Sequence, residues 1–372
     1  MNRRSIALLA AVITFSVGVF IARSSLVNWF ETSDPPVIKE IQLSNYRLSG
    51  PYAFENLSVF LIRGANAPKA RVYTPLQAAM KRGFVIVHET SNVNELAIEN
   101  LAPSEEVFVQ AGQIVKGGKQ DRVLSVDLIL PAQSGMVPIS AFCVEQSRWN
   151  ARGSESGDHF TLTEMAAPFS LRRVIKEVAT QTGVWDEVNT AHESIAAGVA
   201  GQVRSVDSPT SLPLALESDA VQDSTERYVK SLSGLTQRWN DVIGFAFTVN
   251  GEMKGADVYS SNVMFAQFWP RLLKAAAVEA VASRGMDWGE DELRIETVGS
   301  FLTDAELGEE MAVPAPQSDW IDADPGLAVP SKVNSRTQSV KRVTENSLFF
   351  ESRDNAYDGA WIHRSYLSRI SD

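Results

Sequence analysis

The segment from Gly112 to Arg122, which reads GQIVKGGKQDR, has the residue types of a binding loop. Lys116, Lys119 and Arg122 place three cations close together in a chain whose formal net charge is −11. Arginine and lysine donate hydrogen bonds to phosphate or carboxylate oxygens, and arginine can do so through two parallel bonds. The segment is therefore a candidate site for a small anion.

Other interpretations of this segment compete with an anion site. A P-loop requires G-x-x-x-x-G-K-[ST], but Lys119 comes one residue late after Gly112, and Gln120 stands where a hydroxyl is required. The residues that follow alternate with period two, which predicts a strand instead of a phosphate-binding helix. The remaining alternative is a tight turn between strands in which Gly117 and Gly118 take positive φ.

A second polar segment, CVEQSRW at residues 143–149, adds groups that could do chemistry. Glu145 could act as a general acid or base, and Cys143 could be a nucleophile if a base or a cation lowered its pKa. No histidine lies near Cys143 in the sequence, and its apolar strand neighbours Ile139 and Ala141 favour a buried, structural thiol.

We predict that these two segments meet in space, because both lie at strand ends and both concentrate polar residues. Lys119 or Arg122 would then approach Glu145 or Arg148 around a shared cleft. The candidate catalytic residues are Glu145 and Cys143. The candidate ligand-binding residues are Gln113, Lys116, Gly117, Gly118, Lys119, Gln120, Arg122, Gln146 and Arg148.

Composition and spacing argue against several other kinds of site. The four histidines are scattered, without a partner at the spacing of metal ligands, so no metal site and no cofactor are expected. The single cysteine excludes an intramolecular disulfide. A chain with a net charge of −11 and a pI near 5.0 repels a phosphate backbone, which argues against nucleic acid as a partner.

The N-terminus has the pattern of a membrane-targeting segment. Arg3 and Arg4 precede an uncharged apolar run over residues 6–22, and such a basic flank keeps the N-terminus in the cytoplasm. Small residues are missing where a signal peptidase needs them, since Phe20 occupies one such position. We therefore predict a signal anchor within residues 1–30 and a domain outside the cytoplasm. Cleavage to a secreted or periplasmic form is the alternative.

The elements that must position the polar segments follow from periodicity and turn signals. We predict a linker at residues 31–52 and short strands joined by turns at residues 53–150. Residues 165–240 have apolar residues at helical spacing. Residues 241–372 predict a hairpin with a type I′ turn at Asn250-Gly251, then a helix and terminal strands.

These elements predict an α+β fold. A β-rich unit, sandwich- or barrel-like, is followed by a central helical segment and a hairpin-helix second half, and residues 53–372 form one exported domain. Two finer predictions concern single elements: residues 123–131 form one strand, and Pro270 kinks the helix that begins near Asn262 or starts a new one.

Several stretches of the chain resemble one known domain family. They are FENLSVF (54–60), VNELAIEN (93–100), Gly112–Arg122, CVEQSRW (143–149), VW (184–185), VNGEMKGADVY (249–259), FAQFWPRLLKAAAVEAV (265–281) and the terminal strand with His363. Through these the chain resembles the ARG-and-rhodanese-phosphatase-superfamily-associated protein domain over most of residues 40–370. The family pattern has asparagine where this chain has Asp121. The resemblance implies a link to ADP-ribose or NAD-derived chemistry through the family's associated proteins, and implies no particular activity.

Two functions are consistent with these features. The first is a membrane-anchored, extracytoplasmic binding or interaction module whose polar patch holds a small anionic ligand or a protein partner. The alternative is a hydrolase or transferase acting on a nucleotide- or ADP-ribose-like substrate, with Glu145 as acid or base, Lys119 and Arg122 as an anion clamp and Cys143 as a possible nucleophile. The absence of a catalytic triad, metal or cofactor motif from the sequence favours the module.

Overall fold

The computed structural model describes residues 38–90, 92–286, 294–311 and 336–369. The predicted membrane segment at residues 6–22 and nearly all of the Pro-rich stretch at 312–336 lie outside these ranges. In the ranges that are described, no helix combines the length and the apolar character needed to cross a membrane.

Strands are the most numerous elements of the described chain. In chain order they are β1 (Lys39–Gln42), β2 (Arg47–Phe54), β3 (Leu57–Arg63), β4 (Thr74–Pro75), β5 (Val85–Glu89), β6 (Glu95–Asn100), β7 (Val107–Val109), β8 (Gln113–Gly117), β9 (Arg122–Leu124), β10 (Leu128–Leu130), β11 (Met136–Cys143), β12 (Phe160–Ala166), β13 (Val242–Val249), β14 (Glu252–Tyr259), β15 (Glu309–Met311), β16 (Thr337–Val343), β17 (Ser347–Asp354) and β18 (Ala360–Ser368). The helices are α1 (Leu76–Lys81), α2 (Phe169–Glu177), α3 (Gln181–Gly198), α4 (Leu212–Leu216), α5 (Asp219–Leu232), α6 (Asn262–Ala282) and α7 (Ile295–Glu306). The α+β class is confirmed.

A nine-stranded antiparallel sheet, in the order β1-β2-β3-β13-β14-β18-β17-β16-β15, forms the larger layer. One of its inner strands, β13, is buried on both faces. Phe245 and Phe247 join the core that contains α6, whereas Ala246 between them joins the core that contains α7. Because successive side chains of a strand point to opposite faces, helices on both sides are needed to cover this strand.

The predicted hairpin in this sheet is confirmed. β13 and β14 pair across Asn250 and Gly251, which have φ of +52° and +78°. Positive φ at both central positions is the property of a type I′ turn, and its twist matches that of the strands it joins.

A six-stranded sheet in the order β12-β8-β9-β11-β6-β5 curls into a half-barrel. Its edge strands approach each other at His88 and His159, where the backbone N–H of Glu89 donates to the carbonyl of Asp158 at 2.9 Å. Valine, leucine and isoleucine side chains fill the interior. A small sheet, β10-β7-β4, continues beside it.

The structure differs from the sequence-based expectations at three places. β1 and the first half of β2 occupy the segment predicted to be a linker, and they extend the nine-stranded sheet. The strand predicted over residues 123–131 is interrupted, since β9 ends at Leu124, β10 begins at Leu128, and each pairs in a different sheet. Helix α6 runs through Pro270 as one helix.

Candidate functional site

The paired glycines of the first polar segment form a turn at the end of β8. Gly117 and Gly118 have φ of +119° and +53°, as predicted for a tight turn. A Cβ at Gly118 would lie 2.2 Å from the ring of Phe160. Both the backbone conformation and the contact with Phe160 therefore require glycine here.

The structure brings the two polar segments together. Arg148 donates from Nη1 to the carbonyl of Gly118 at 2.9 Å and from Nη2 to that of Gly117 at 3.1 Å. The backbone N–H of Asp121 donates to Oε2 of Glu145 at 2.9 Å. The Arg148 guanidinium therefore holds the turn in place, because its N–H groups donate to the carbonyl oxygens of the turn.

Two buried carboxylates, Asp121 and Glu145, contact the buried Arg152 and the partly exposed Arg148 where these segments meet. Asp121 accepts hydrogen bonds from Arg152 at 3.0 Å and from the hydroxyl of Ser211 at 2.6 Å, and Glu145 accepts from Nε of Arg148 at 2.7 Å. With Glu155, which pairs with Arg152 at 3.0 Å, three carboxylates face two arginines in this cluster. It stabilises the fold locally and has no excess charge that would attract an anion.

The two carboxylates of this cluster differ in their pKa. Burial, together with the nearby charge of Glu145, raises the pKa of Asp121 against the effect of Arg152 and Ser211. Burial acts in the same direction on Glu145, but the hydrogen bonds from Arg148 and Ser208 outweigh it and lower its pKa. Glu145 is therefore ionised at neutral pH and a poor proton donor.

The other predicted ligand-binding residues face different directions. Lys116 pairs with Glu217, and Arg122 is fully buried with Nη2 3.9 Å from Glu89. The Lys119 amine lies 5.4 Å from the ring centroid of Trp149, which is 40% exposed. Gln120 is buried, and Gln146 is fixed by two hydrogen bonds between its backbone and the Thr210 hydroxyl. The cations of the segment do not form one open surface.

Cys143 is buried at the end of β11, and burial raises the pKa of its thiol to about 11. We expect thiol reagents to label the native protein at neutral pH much more slowly than the urea-unfolded chain, since the thiolate is the reactive form. We also expect Cys143→Ala to reduce the free energy of unfolding by about 1–2 kcal/mol, the scale of a small core truncation. Labelling at equal rates in the native and unfolded protein would contradict the buried position.

A second polar cluster, which the sequence patterns did not single out, joins the half-barrel side of the molecule to the large sheet. His363 on β18 lies between two carboxylates, with Nδ1 2.9 Å from Asp127 and Nε2 2.9 Å from Asp257. Asp127 also accepts from the Ala111 N–H at 2.7 Å and from the Ser352 hydroxyl at 2.6 Å. Because both ring nitrogens face carboxylates, both must donate, and the ring is an imidazolium.

The pKa values in this cluster agree with that assignment. Burial alone would lower the pKa of His363, but Asp127 and Asp257 outweigh it and raise the pKa. Burial would raise the pKa of Asp257, yet Arg172 and His363 lower it. Asp257 is fully buried, and Arg172 on α2 contacts both of its oxygens at 2.7 Å.

An internal cavity of about 10 Å³, here called the inner cavity, lies against this cluster. It is lined by Gln110, Ala111, Gln113, Ala166, Arg172, Phe268, Arg271 and Leu272. Three of its polar side chains are almost completely buried: Gln113 is 3% exposed, Arg172 1% and Arg271 5%. The volume is enough for one water molecule or a monatomic ion.

Each of these three side chains has a donor without an acceptor among the described residues. The atoms are Nε2 of Gln113, Nε of Arg172 and Nη1 of Arg271. Other polar atoms of these side chains have partners: Oε1 of Gln113 accepts from the Gln110 N–H at 3.0 Å, and Nη2 of Arg271 donates to the Met165 carbonyl at 3.2 Å. Unpaired buried donors are costly, so their convergence on one cavity indicates a species that accepts hydrogen bonds.

The charges around the inner cavity favour an anion over water. Lys176 and the His363 imidazolium lie beside Asp127, and Arg172 and His363 lie beside Asp257. Arg271 makes no ion pair with a described carboxylate. Burial lowers its pKa to about 10, against a weaker effect of Glu164, so it stays charged at neutral pH. Arg271 is therefore a lining cation without an ion-pair partner among the described residues, and a bound anion would balance its charge.

Gly112, the first residue of the polar segment, has a role at this cavity. Its φ is +88°, and a Cβ there would lie 2.7 Å from Cγ of Arg172. The glycine lets the Arg172 side chain pass the start of β8 to reach Asp257. Of the predicted ligand-binding residues, the inner cavity is lined by Gln113 alone.

Comparisons with known proteins place the domain in a family. No curated protein and no solved structure has significant similarity to the chain. The model of the ARG and Rhodanese-Phosphatase-superfamily-associated Protein domain, ARPP-1, matches residues 45–367. This range contains both polar segments, the His363 cluster and the inner cavity, and it begins within the segment predicted to be a linker. The chain belongs to the ARPP-1 family.

Proposed function

We propose that this domain is an anion-binding module whose ligand occupies the inner cavity. The observation that carries the proposal is Arg271, a buried guanidinium without a described carboxylate partner, beside two further side chains with unpaired N–H groups. Removing such a charge from water without compensation costs several kcal/mol. A ligand that balances the charge of Arg271 would recover a large part of that free energy on binding.

The alternative function as a hydrolase or transferase has less support in the geometry. Glu145 and Cys143 are fully buried, and the Glu145 oxygens already accept from Arg148, Arg152 and Ser208. A substrate would reach neither group without local opening. A binding module agrees better with these positions.

We further propose that the module is anchored to a membrane by residues 6–22 and lies outside the cytoplasm. The support is the sequence pattern alone: two arginines before an uncharged apolar run and no small-residue cleavage signal. A domain outside the cytoplasm would bind an anion from its surroundings without a carrier that transports the anion across the membrane.

The test compares Arg271→Met with wild type in the full-length chain in detergent. With a bulky zwitterionic buffer as the only anion, the substitution should be neutral or stabilising, because it removes an uncompensated buried charge. Adding chloride should raise the free energy of unfolding of wild type in a saturable way, by about 2.7 kcal/mol at 100 times the dissociation constant. The variant should show no such response. Urea unfolding followed by tryptophan fluorescence measures both.

A matched control is Arg173→Met, which removes one cation from the exposed side of α2, where it pairs with Glu177 at 3.2 Å. Its response to anions should equal that of wild type. If Lys119→Met abolished the response and Arg271→Met preserved it, the ligand would bind at the GQIVKGGKQDR segment instead. A wild type without any saturable response would overturn the anion-binding function.

A further inference from the structure

The inner cavity has room for a single heavy atom. Its volume of about 10 Å³ is close to the space that one water molecule needs. Ala166, Phe268 and Leu272 form an apolar wall, and all three are buried. Protein interiors are close-packed, and added volume forces side chains out of their favourable rotamers. An anion with several heavy atoms would therefore have to displace part of this wall.

The polar lining of the inner cavity offers donors but no unoccupied side-chain oxygen. The described side chains that line it contain two oxygen atoms, Oε1 of Gln110 and Oε1 of Gln113. The first accepts from the Tyr259 hydroxyl at 2.8 Å, and the second accepts from the Gln110 N–H at 3.0 Å. The donors without an acceptor among the described residues are on Gln113, Arg172 and Arg271. The lining is therefore complementary to a species that accepts hydrogen bonds and donates none.

A water molecule matches only part of this pattern. Water donates as well as accepts, and its own O–H groups would find no unoccupied side-chain oxygen in the described lining. A monatomic anion has no hydrogen atoms and accepts hydrogen bonds from several directions at once. It would also balance the charge of Arg271, which has no ion-pair partner among the described residues.

We propose, given the proposed anion-binding function, that the ligand of the inner cavity is a halide ion, either chloride or bromide. It would accept hydrogen bonds from Nε2 of Gln113, Nε of Arg172 and Nη1 of Arg271. These residues lie on β8, α2 and α6, so the ion connects the half-barrel to the helices that pack on the large sheet.

Polyatomic anions of the same charge fit the inner cavity less well. Nitrate and acetate bring additional heavy atoms into a space for one. Any oxygen that faced Ala166, Phe268 or Leu272 would also lose its hydrogen bonds to water without gaining others. The size of the cavity and its apolar wall therefore select against them, although their charge would suit Arg271.

The experiment is an anion series on the full-length protein in an uncharged detergent and a bulky zwitterionic buffer. Calorimetry at constant ionic strength measures the binding of chloride, bromide, iodide, nitrate and acetate. Chloride and bromide should bind saturably, and nitrate and acetate should bind at least about tenfold more weakly, the scale on which overpacking a core costs free energy. Iodide should also bind more weakly than chloride because it is larger. At an exposed guanidinium, which is weakly hydrated, iodide would instead bind most tightly.

Two variants change the size of the inner cavity and keep its three donors. Leu272→Ala enlarges the cavity, so the preference for chloride over nitrate should fall by about tenfold. Ala166→Val fills the cavity, so chloride binding should be lost although Arg271 is present. Val263→Ala, at a position on α6 that is 47% exposed, is the matched control and should bind the series as wild type does.

The outcomes separate this inference from the proposed function. If nitrate or acetate binds wild type as tightly as chloride, or if iodide binds most tightly, the halide is overturned and the anion-binding function stands. Unchanged chloride affinity in Ala166→Val would overturn the halide together with the position assigned to the anion. If no anion of the series binds wild type, the proposed function fails and this inference fails with it.

Discussion

Replacing Arg172 by methionine is expected to lower the free energy of unfolding by about 3–5 kcal/mol, the scale of a buried ion pair that loses one partner. Arg172 contacts both oxygens of Asp257 at 2.7 Å and the Ser365 hydroxyl at 3.1 Å. Without the guanidinium, Asp257 remains buried and keeps only its contact with His363, which also contacts Asp127. Chemical denaturation in low-anion buffer measures the loss independently of ligand binding.

The neighbouring residue provides a matched control for this prediction. Arg173 has the same side chain on the same helix, but it is partly exposed and pairs with Glu177 at 3.2 Å. Arg173→Met should cost no more than about 0.5 kcal/mol, as exposed i,i+4 pairs do. Equal decreases in the free energy of unfolding for the two variants would contradict this prediction, because the decrease would then come from helix propensity and not from loss of the buried pair.

This contrast shows what the sequence could and could not predict. The apolar periodicity of Leu171, Val174 and Ile175 correctly indicates a helix, and it places Arg172 and Arg173 together on the polar side. Only Arg172 is buried, because its partner Asp257 lies on a strand far along the chain. A local pattern has no information about such a partner. An available signal was Asp257 itself, a charged residue between the apolar Ala256 and Val258 within a predicted strand.

The same distinction applies to the fold. The Asn250-Gly251 turn and the paired glycines at 117 and 118 were predictable because a few adjacent residues determine them. The order of the large sheet was not predictable from such local signals. β3 pairs with β13, although the strands of the half-barrel and the central helices lie between them in the sequence. The polar cluster of Asp121 and Glu145 was partly predictable, as both segments were expected to meet. Their mutual charge compensation, which removes the attraction for an anion, depends on Arg152 and Ser211 from outside both motifs.

The second large effect is expected for His363→Gln, which should lower the free energy of unfolding by about 3–5 kcal/mol at pH 6 by removing the cation between Asp127 and Asp257. The folded-state pKa of His363 is raised by these carboxylates. The stabilisation is therefore complete below the ordinary histidine pKa of about 6.5. It is lost as the pH rises through the higher folded-state pKa, by at most about 1.4 kcal/mol per pH unit.

Denaturation of wild type and variant between pH 5 and 9 should therefore give two curves that converge as the pH rises. His192 is the matched control, since it is also buried but burial lowers its pKa to about 4. For His192→Gln the difference from wild type should change only below pH 6.5, where the unfolded chain takes up a proton that the folded protein resists. Parallel curves for wild type and His363→Gln above pH 6.5 would mean that His363 is not a titrating cation in that range.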